Sequence, residues 1–309
     1  MLVRSALRCL ASGIVLASFR RAWCAQYRAA AKRASREAHG APDRGVRGHV
    51  AAVRKDGETR EKVPDRRDPL RGPSAAERII VALDVRDAAL AARLLDHLGG
   101  LARLYKVGSE LFTAAGPEIV RTIRARGAEV FLDLKFHDIP VTVAGAVRSA
   151  AALDVAMLTV HAAGGRAMMN AAVEAAAAVG RQGGRRPRLL GVTVLTSLTA
   201  LAAREEAGLA RPLPEQVLHL ARLGQAAGLD GAVTSPQEVR ALREALGKNF
   251  LLVTPGIRPS GAGRDDQARV LGPRQALEAG ADYLVVGRPI VAAPDPRAAL
   301  ERFLTECGP

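Results

Sequence analysis

From Arg78 onward the chain alternates short apolar runs with longer amphipathic segments rich in Ala and Leu. The run Ile79-Ile80-Val81-Ala82-Leu83 has no polar position. A strand exposed on one face would alternate, so such a run predicts a strand covered on both faces, as in a parallel sheet. The pattern predicts strands over 79–84, 104–107, 129–134, 156–160, 189–195, 231–234, 250–254 and 283–286. Helical periodicity fills 88–98, 117–126, 143–152, 166–179, 215–227, 236–246, 273–279 and 296–304. Several of these helices open at a proline and close before a glycine, as Pro117 to Gly127 and Pro236 to Gly247 do. Proline fits the first turn of a helix and glycine the residue after its last.

Strands and helices alternating eight times over roughly 230 residues predict an α/β fold of the (β/α)₈ TIM-barrel kind. An open doubly wound sheet is the alternative, but no glycine-rich dinucleotide loop follows the first strand. A barrel places its chemistry at the C-terminal ends of its strands. Read in order, those ends carry Asp84, Lys106, Asp133 with Lys135, His161, Thr196 with Ser197, Ser235, Arg258, and Gly287 with Arg288. One polar residue after a strand is an ordinary turn or cap. Two lysines and two acids on one rim point to a site.

The densest stretch is Val130-Phe131-Leu132-Asp133-Leu134-Lys135-Phe136-His137-Asp138-Ile139-Pro140. Strand alternation puts Asp133 and Lys135 on one face. Asp138 lies past the strand, where Pro140 discourages a continued ladder. A lysine near two carboxylates stays protonated, which makes Lys135 a candidate proton donor. A structural ion pair at a strand end would have the same spacing.

The loops after strands seven and eight are Thr254-Pro255-Gly256-Ile257-Arg258-Pro259 and Val286-Gly287-Arg288-Pro289. Barrels commonly hold phosphate there. Glycine lets backbone amides approach an anion, and arginine grips phosphate through paired donors. Two turns with solvated arginines are the alternative. The segment 260–267 that follows has the composition of a mobile lid, with Gln267 placed to close on the anion.

Composition changes the picture at one end only. The formal net charge of +14 suggests a polyanionic partner. Yet residues 1–76 hold 17 Lys and Arg against 7 Asp and Glu, and residues 77–309 hold 28 against 24. The basicity belongs to the N-terminal segment, and the body has the mild positive balance of a small-anion binder. We therefore divide the chain into a basic extension, 1–76, and a barrel domain, 77–309. The extension has no acid before Glu37, and residues 40–76 lack periodicity. It is expected to be disordered. An organelle transit peptide, a secretory signal and a misplaced translation start compete as its origin, and the last accounts most simply for its composition. Cys9, Cys24 and Cys307 have neither metal-ligand spacing nor the even count of a disulfide framework. A reducing, cytoplasmic setting is the simplest expectation, with organelle targeting left open by the extension. No apolar run reaches the ~18 residues of a membrane helix, so no membrane partner is expected.

Five blocks identify a resemblance. They are Leu104-Tyr105-Lys106-Val107-Gly108, Phe131 through Pro140, Val192-Thr193-Val194-Leu195-Thr196-Ser197, Val253 through Pro259, and Val285-Val286-Gly287-Arg288-Pro289-Ile290. Together, in this order, they resemble the orotidine 5′-phosphate decarboxylase family of the bacterial type. The likeness runs from about Arg78 to the C-terminus and includes none of the extension. It implies decarboxylation of orotidine 5′-monophosphate to uridine 5′-monophosphate, the last step of de novo UMP synthesis, with no cofactor and no metal. It implies that Lys135 protonates C6 of the pyrimidine, that Asp133 lies beside the substrate carboxylate, and that Lys106 completes the charge array and contacts the ribose. Asp84 would bind ribose hydroxyls. Thr196 and Ser197 would border the pyrimidine, and Arg258, Gln267, Gly287 and Arg288 would hold the 5′-phosphate. Asp138 and Thr142 would reach the site of a second subunit, giving a homodimer with shared sites.

Two rivals remain open from sequence. Related sugar-phosphate barrels, ketogulonate-phosphate decarboxylases and hexulose-phosphate synthases, share Asp-x-Lys-x-x-Asp but use Mg²⁺; the run His137 to Pro140 with Arg258 and Gln267 disfavours them. A nucleic-acid binder would use the basic extension, but the body lacks the aromatic platforms of single-strand binders, so no nucleic-acid partner is expected.

Overall fold

In a strand, neighbouring side chains leave on opposite faces, and here that alternation sorts the apolar residues into two cores. Ile80, Ala82, Leu104, Phe131, Met157, Leu190, Val253 and Val285 pack together in one cluster. Their chain neighbours Ile79, Val81, Tyr105, Val130, Leu132, Leu158, Leu189, Leu252, Leu284 and Val286 belong to another, shared with the helices. The first cluster fills the inside of a barrel and the second lies between barrel and helices. Both faces of each strand are therefore apolar, which is why the runs lack polar alternation.

A computed structural model of the chain describes residues 74–258 and 271–308. Its strands are β1 (Ile79–Ala82), β2 (Leu104–Gly108), β3 (Glu129–Phe136), β4 (Met157–His161), β5 (Arg188–Val192), β6 (Gly231–Val233), β7 (Leu251–Thr254) and β8 (Tyr283–Val286). They close in sequential order, all parallel, with β8 pairing back onto β1 through Ile80 and Val285. The expected (β/α)₈ barrel is present. Among the described residues no helix is long and apolar enough to cross a membrane. The expected extension, save its last three residues, and the segment 260–267 with Gln267 lie outside the described residues.

Local departures from the sequence expectation have local causes. β3 continues to Phe136, past the expected end at Leu134, because its pairing with β4 shifts register between Leu132 and Phe136. Lys135 takes a positive φ of 51° within that irregularity. β5 ends early, at Val192. Four short helices were not expected: Ala75–Arg78, Ser109–Ala115, Ala200–Glu205 and Arg288–Val291. Ser109–Ala115 follows β2 with no turn residues between, so no punctuation marks it. Ala200–Glu205 had a readable start, since Thr199 caps it by accepting from the Ala202 amide at 3.2 Å. Arg288–Val291 carries proline in its first turn, a helix signal inside what reads as a loop.

The N-terminal ends of the strands are tied by acids. Asp230, just before β6, accepts from the Leu189 amide of β5 at 2.7 Å and pairs with Arg186 at 2.9 Å. Asp282, just before β8, accepts from the Leu252 amide of β7 at 2.7 Å and pairs with Arg243 at 2.6 Å. Each acid fixes one strand start to its neighbour. This end serves stability and leaves the opposite rim for chemistry.

Candidate functional site

The site residues continue the inward parity of the barrel core. Two positions beyond Ala82, Leu104, Phe131 and Met157 come Asp84, Lys106, Asp133 and Thr159. The apolar plug thus ends in a polar layer at the C-terminal rim. Lys106 and Asp133 are buried at 9% and 8% exposure, and Thr159 is fully buried. Charges so far from water need partners, and the four strands supply them.

The Lys106 ammonium donates to Asp84 Oδ1 at 2.8 Å and lies 3.8 Å from Asp133 Oδ2. The Lys135 ammonium donates to the same Asp133 Oδ2 at 2.8 Å. The result is a line of alternating charge, Asp84, Lys106, Asp133, Lys135. The lysine found between two carboxylates is therefore Lys106. Among the described residues Lys135 pairs with Asp133, while the Asp138 carboxylate accepts from the Ile139 amide at 2.6 Å. The spacing of the sequence suggests that Lys135 would hold both acids; within this single chain Asp138 lies beyond the end of β3 and faces solvent.

The other face of Asp133 is held by a residue that the sequence reading did not single out. Thr159 Oγ1 donates to Asp133 Oδ1 at 2.9 Å and accepts from the Lys135 amide at 2.9 Å. Strand parity was the available signal, since Thr159 lies between the inward Met157 and His161. His161 ends β4. Its Nδ1 is buried with no hydrogen-bond partner among the described residues, and its ring centre lies 5.2 Å from that of His137. Burial first, then the nearby His137 and Lys135 charges, lower its pKa below the usual histidine value.

Two glycines leave room where the ion line is tightest. A Cβ on Gly108 would stand 3.1 Å from Lys106 Nζ, and one on Gly287 would stand 3.3 Å from Asp84 Oδ2. Gly287 thereby brings the end of β8 against the ion line, and Arg288 follows it, exposed. Arg258 is buried at 8% exposure after β7. Its amide donates to the Leu271 carbonyl at 3.1 Å, and Gly256 makes the preceding turn with φ 82°. Thr234, Ser235, Glu238 and Thr254, at or just after the ends of β6 and β7, are buried as well. The Ser235 hydroxyl donates to the Glu238 carboxylate. Glu238 was missed in sequence, although Ser235-x-x-Glu238 has capping-box spacing.

Thr196, half-buried, and Ser197, exposed, lie in the turn after β5. Asp138 and Thr142 are exposed, flanking Ile139 and Val141, which are 62% and 70% exposed. The structure thus joins Asp84, Lys106, Asp133 and Lys135 directly and sets Gly287 beside them. Thr196, Ser197, Arg258 and Arg288 stand on the same rim, and Asp138 and Thr142 face solvent. Among the described residues no three His, Cys, Asp or Glu side chains form a group that could hold a metal.

Two ammonium groups alternating with two carboxylates at the mouth of a barrel, with arginines on the same rim, suit a small anionic substrate whose reaction builds negative charge. Comparison with known proteins agrees. The sequence profile of the orotidine 5′-phosphate decarboxylase / HUMPS family matches residues 77–303. An orotidine 5′-phosphate decarboxylase of Moorella thermoacetica is 55% identical over 236 residues, covering 75% of this chain and 92% of the relative. One of Nitrosococcus oceani is 55% identical over 229 residues, covering 74% and 97%. The crystal structure of the orotidine 5′-phosphate decarboxylase of Lactobacillus acidophilus superposes with a TM-score of 0.68 at 40% identity, covering 75% of this chain and all of that one. With the profile matched across nearly the whole barrel and relatives matched over almost their full length, this chain belongs to the orotidine 5′-phosphate decarboxylase / HUMPS family.

Proposed function

We propose that this protein decarboxylates orotidine 5′-monophosphate to uridine 5′-monophosphate, with Lys135 as the proton donor. The observation that carries the reading is the line Asp84, Lys106, Asp133, Lys135, with its ammonium-to-carboxylate contacts of 2.8, 3.8 and 2.8 Å. The C6–carboxylate bond breaks and its electron pair stays on C6. Carbon dioxide leaves, and the Lys135 ammonium gives its proton to C6, becoming a neutral amine that solvent recharges. Enzyme accelerations reach about 10¹⁷-fold, roughly 23 kcal/mol, whereas general acid catalysis contributes about 10²–10⁴. Preorganised charge must therefore supply much of the remainder. Lys135 and Lys106 stand ready for the forming carbanion before substrate arrives. Asp133 sets the substrate carboxylate against a like charge, so release of carbon dioxide relieves repulsion.

The remaining roles are those that the family resemblance implies. Asp84 and Lys106 bind ribose. Thr196 and Ser197 border the ring. Arg258, Gln267, Gly287 and Arg288 hold the 5′-phosphate, far enough from C6 for binding energy to orient the ring. The exposed Ile139 and Val141 beside Asp138 and Thr142 support a homodimer in which these two polar residues complete the partner's site. We read the barrel, 77–309, as the working domain.

The test is to incubate the full chain with orotidine 5′-monophosphate in the presence of a chelator and follow formation of uridine 5′-monophosphate. Turnover supports the reading. Activity lost with the chelator and restored by Mg²⁺ would move the protein to the sugar-phosphate branch of its family.

A further inference from the structure

We propose that Thr159 is a positioning residue for the decarboxylation, holding Asp133 and Lys135 in their working geometry through one hydroxyl. The inference rests on the function proposed above. Thr159 is fully buried at the inward face of β4. Its single hydroxyl proton goes to Asp133 Oδ1 at 2.9 Å, and its lone pair takes the Lys135 amide at 2.9 Å. A hydroxyl has one proton, so its donor is committed to Asp133 while one of its lone pairs takes the Lys135 amide.

Each bond holds something that the chain would otherwise relax. Lys135 has φ 51° where the β3–β4 ladder loses register. A side chain with a Cβ is disfavoured in that left-handed region. The normal ladder partner of the Lys135 amide is lost with the register, and the Thr159 oxygen replaces it. On the other side, Lys135 and Lys106 both approach Oδ2 of Asp133. Only Oδ1 remains to define the carboxylate plane, and Thr159 holds it. A substrate carboxylate brought beside Asp133 will repel it. Asp133 could escape by rotating away; the Thr159 bond opposes that rotation. The residue is assigned no proton transfer of its own and acts through its two neighbours.

Thr159→Val keeps the shape and strand preference and removes both bonds. With orotidine 5′-monophosphate as substrate, its kcat should fall about 10- to 100-fold while KM changes less than about threefold, since the loss lies in the transition state. Thr159→Ser restores the hydroxyl and should recover kcat to within about threefold of the parent. Thermal unfolding of each variant confirms an equal folded fraction. Should the valine variant not fold, Thr159→Ala is compared with Thr159→Ser by the same readout. A valine or alanine variant with kcat within about twofold of the parent would overturn the inference, as would a loss confined to KM, or a serine variant no better than valine. If the parent itself fails to turn over this substrate, the functional reading falls and takes the inference with it; an active parent with an indifferent valine variant sinks the inference alone.

Discussion

The Lys135 ammonium lies 2.8 Å from Asp133 Oδ2 although only Leu134 separates the two residues along β3. Regular strand geometry sets residues two apart on one face about 6.6–6.8 Å from each other. Here Lys135 departs from strand geometry, with φ 51°, and its long side chain reaches back to the carboxylate. Left-handed backbone at a residue other than glycine costs about 1–2 kcal/mol and is concentrated at functional sites. The strain sits at the residue assigned the proton transfer.

Replacing that residue should remove the reaction. Lys135→Ala should lower kcat for orotidine 5′-monophosphate by at least about 10³-fold, because both a proton donor and a preorganised cation are lost. Lys135→Arg should not rescue it, since guanidinium does not release its proton in this range. Single-turnover formation of uridine 5′-monophosphate measures both. Near-normal turnover by the alanine variant would end the mechanism.

The exposed Asp138 makes a different kind of prediction. Lys135→Ala and Asp138→Ala proteins should each be inactive alone. Mixed and allowed to exchange subunits, they should regain activity, since a hybrid dimer holds one site with both residues intact. About a quarter of parental activity is the ceiling for random pairing of equal amounts, from one intact site in half of the dimers. Recovery absent despite proven exchange would show that Asp138 acts within its own subunit or not at all.

His161 should make the fold acid-sensitive. Its folded pKa is lowered by burial and by the nearby His137 and Lys135, from an ordinary value of 6.5. The unfolded chain therefore binds this proton more readily. Above pH 6.5 both states are neutral and stability is unaffected; as pH falls below it the folded state loses ground until its own pKa is passed. The melting temperature of the parent should decline over that window more steeply than that of His161→Asn, which has no such proton to take up. A parallel decline in the two proteins would remove His161 as the cause.

Gly231 offers a test of the barrel interior. A Cβ there would fall 2.4 Å from the Leu251 carbonyl oxygen and 2.9 Å from a Leu190 methyl. Backbone cannot yield as a side-chain tip can. Gly231→Ala should destabilise the fold by about 1–3 kcal/mol or more, as overpacking does. Gly183→Ala, where a Cβ meets nothing within 4 Å but φ is 83°, gives the comparison of strain without crowding. Denaturant midpoints of the two variants separate the terms, and an alanine at 231 with parental stability would contradict the packing described.

The barrel was legible because its signal is local. Parallel strands covered on both faces must be apolar throughout, and their helices must be amphipathic, so the alternation of Ile79–Leu83 with segments like 88–98 is written in the chain itself. The strand ends, legible in the same pattern, place Asp84, Lys106, Asp133 and Lys135 on one rim. The relations between strands were not legible. Which acids Lys106 meets depends on the side-by-side pairing of β1, β2 and β3, which sets it between Asp84 and Asp133, whereas sequence spacing speaks only of residues near Lys135 on its own strand. Thr159 looked like any strand threonine because its two partners come from another strand. The kink at Lys135 arises from a register shift between β3 and β4, a property of two strands that neither segment carries alone. The sequence by itself determined the elements, their order and the residues offered to the rim, since these depend on periodicity along one segment. Only the tertiary structure decided which charges meet and what holds them, since those distances exist only after distant segments have packed.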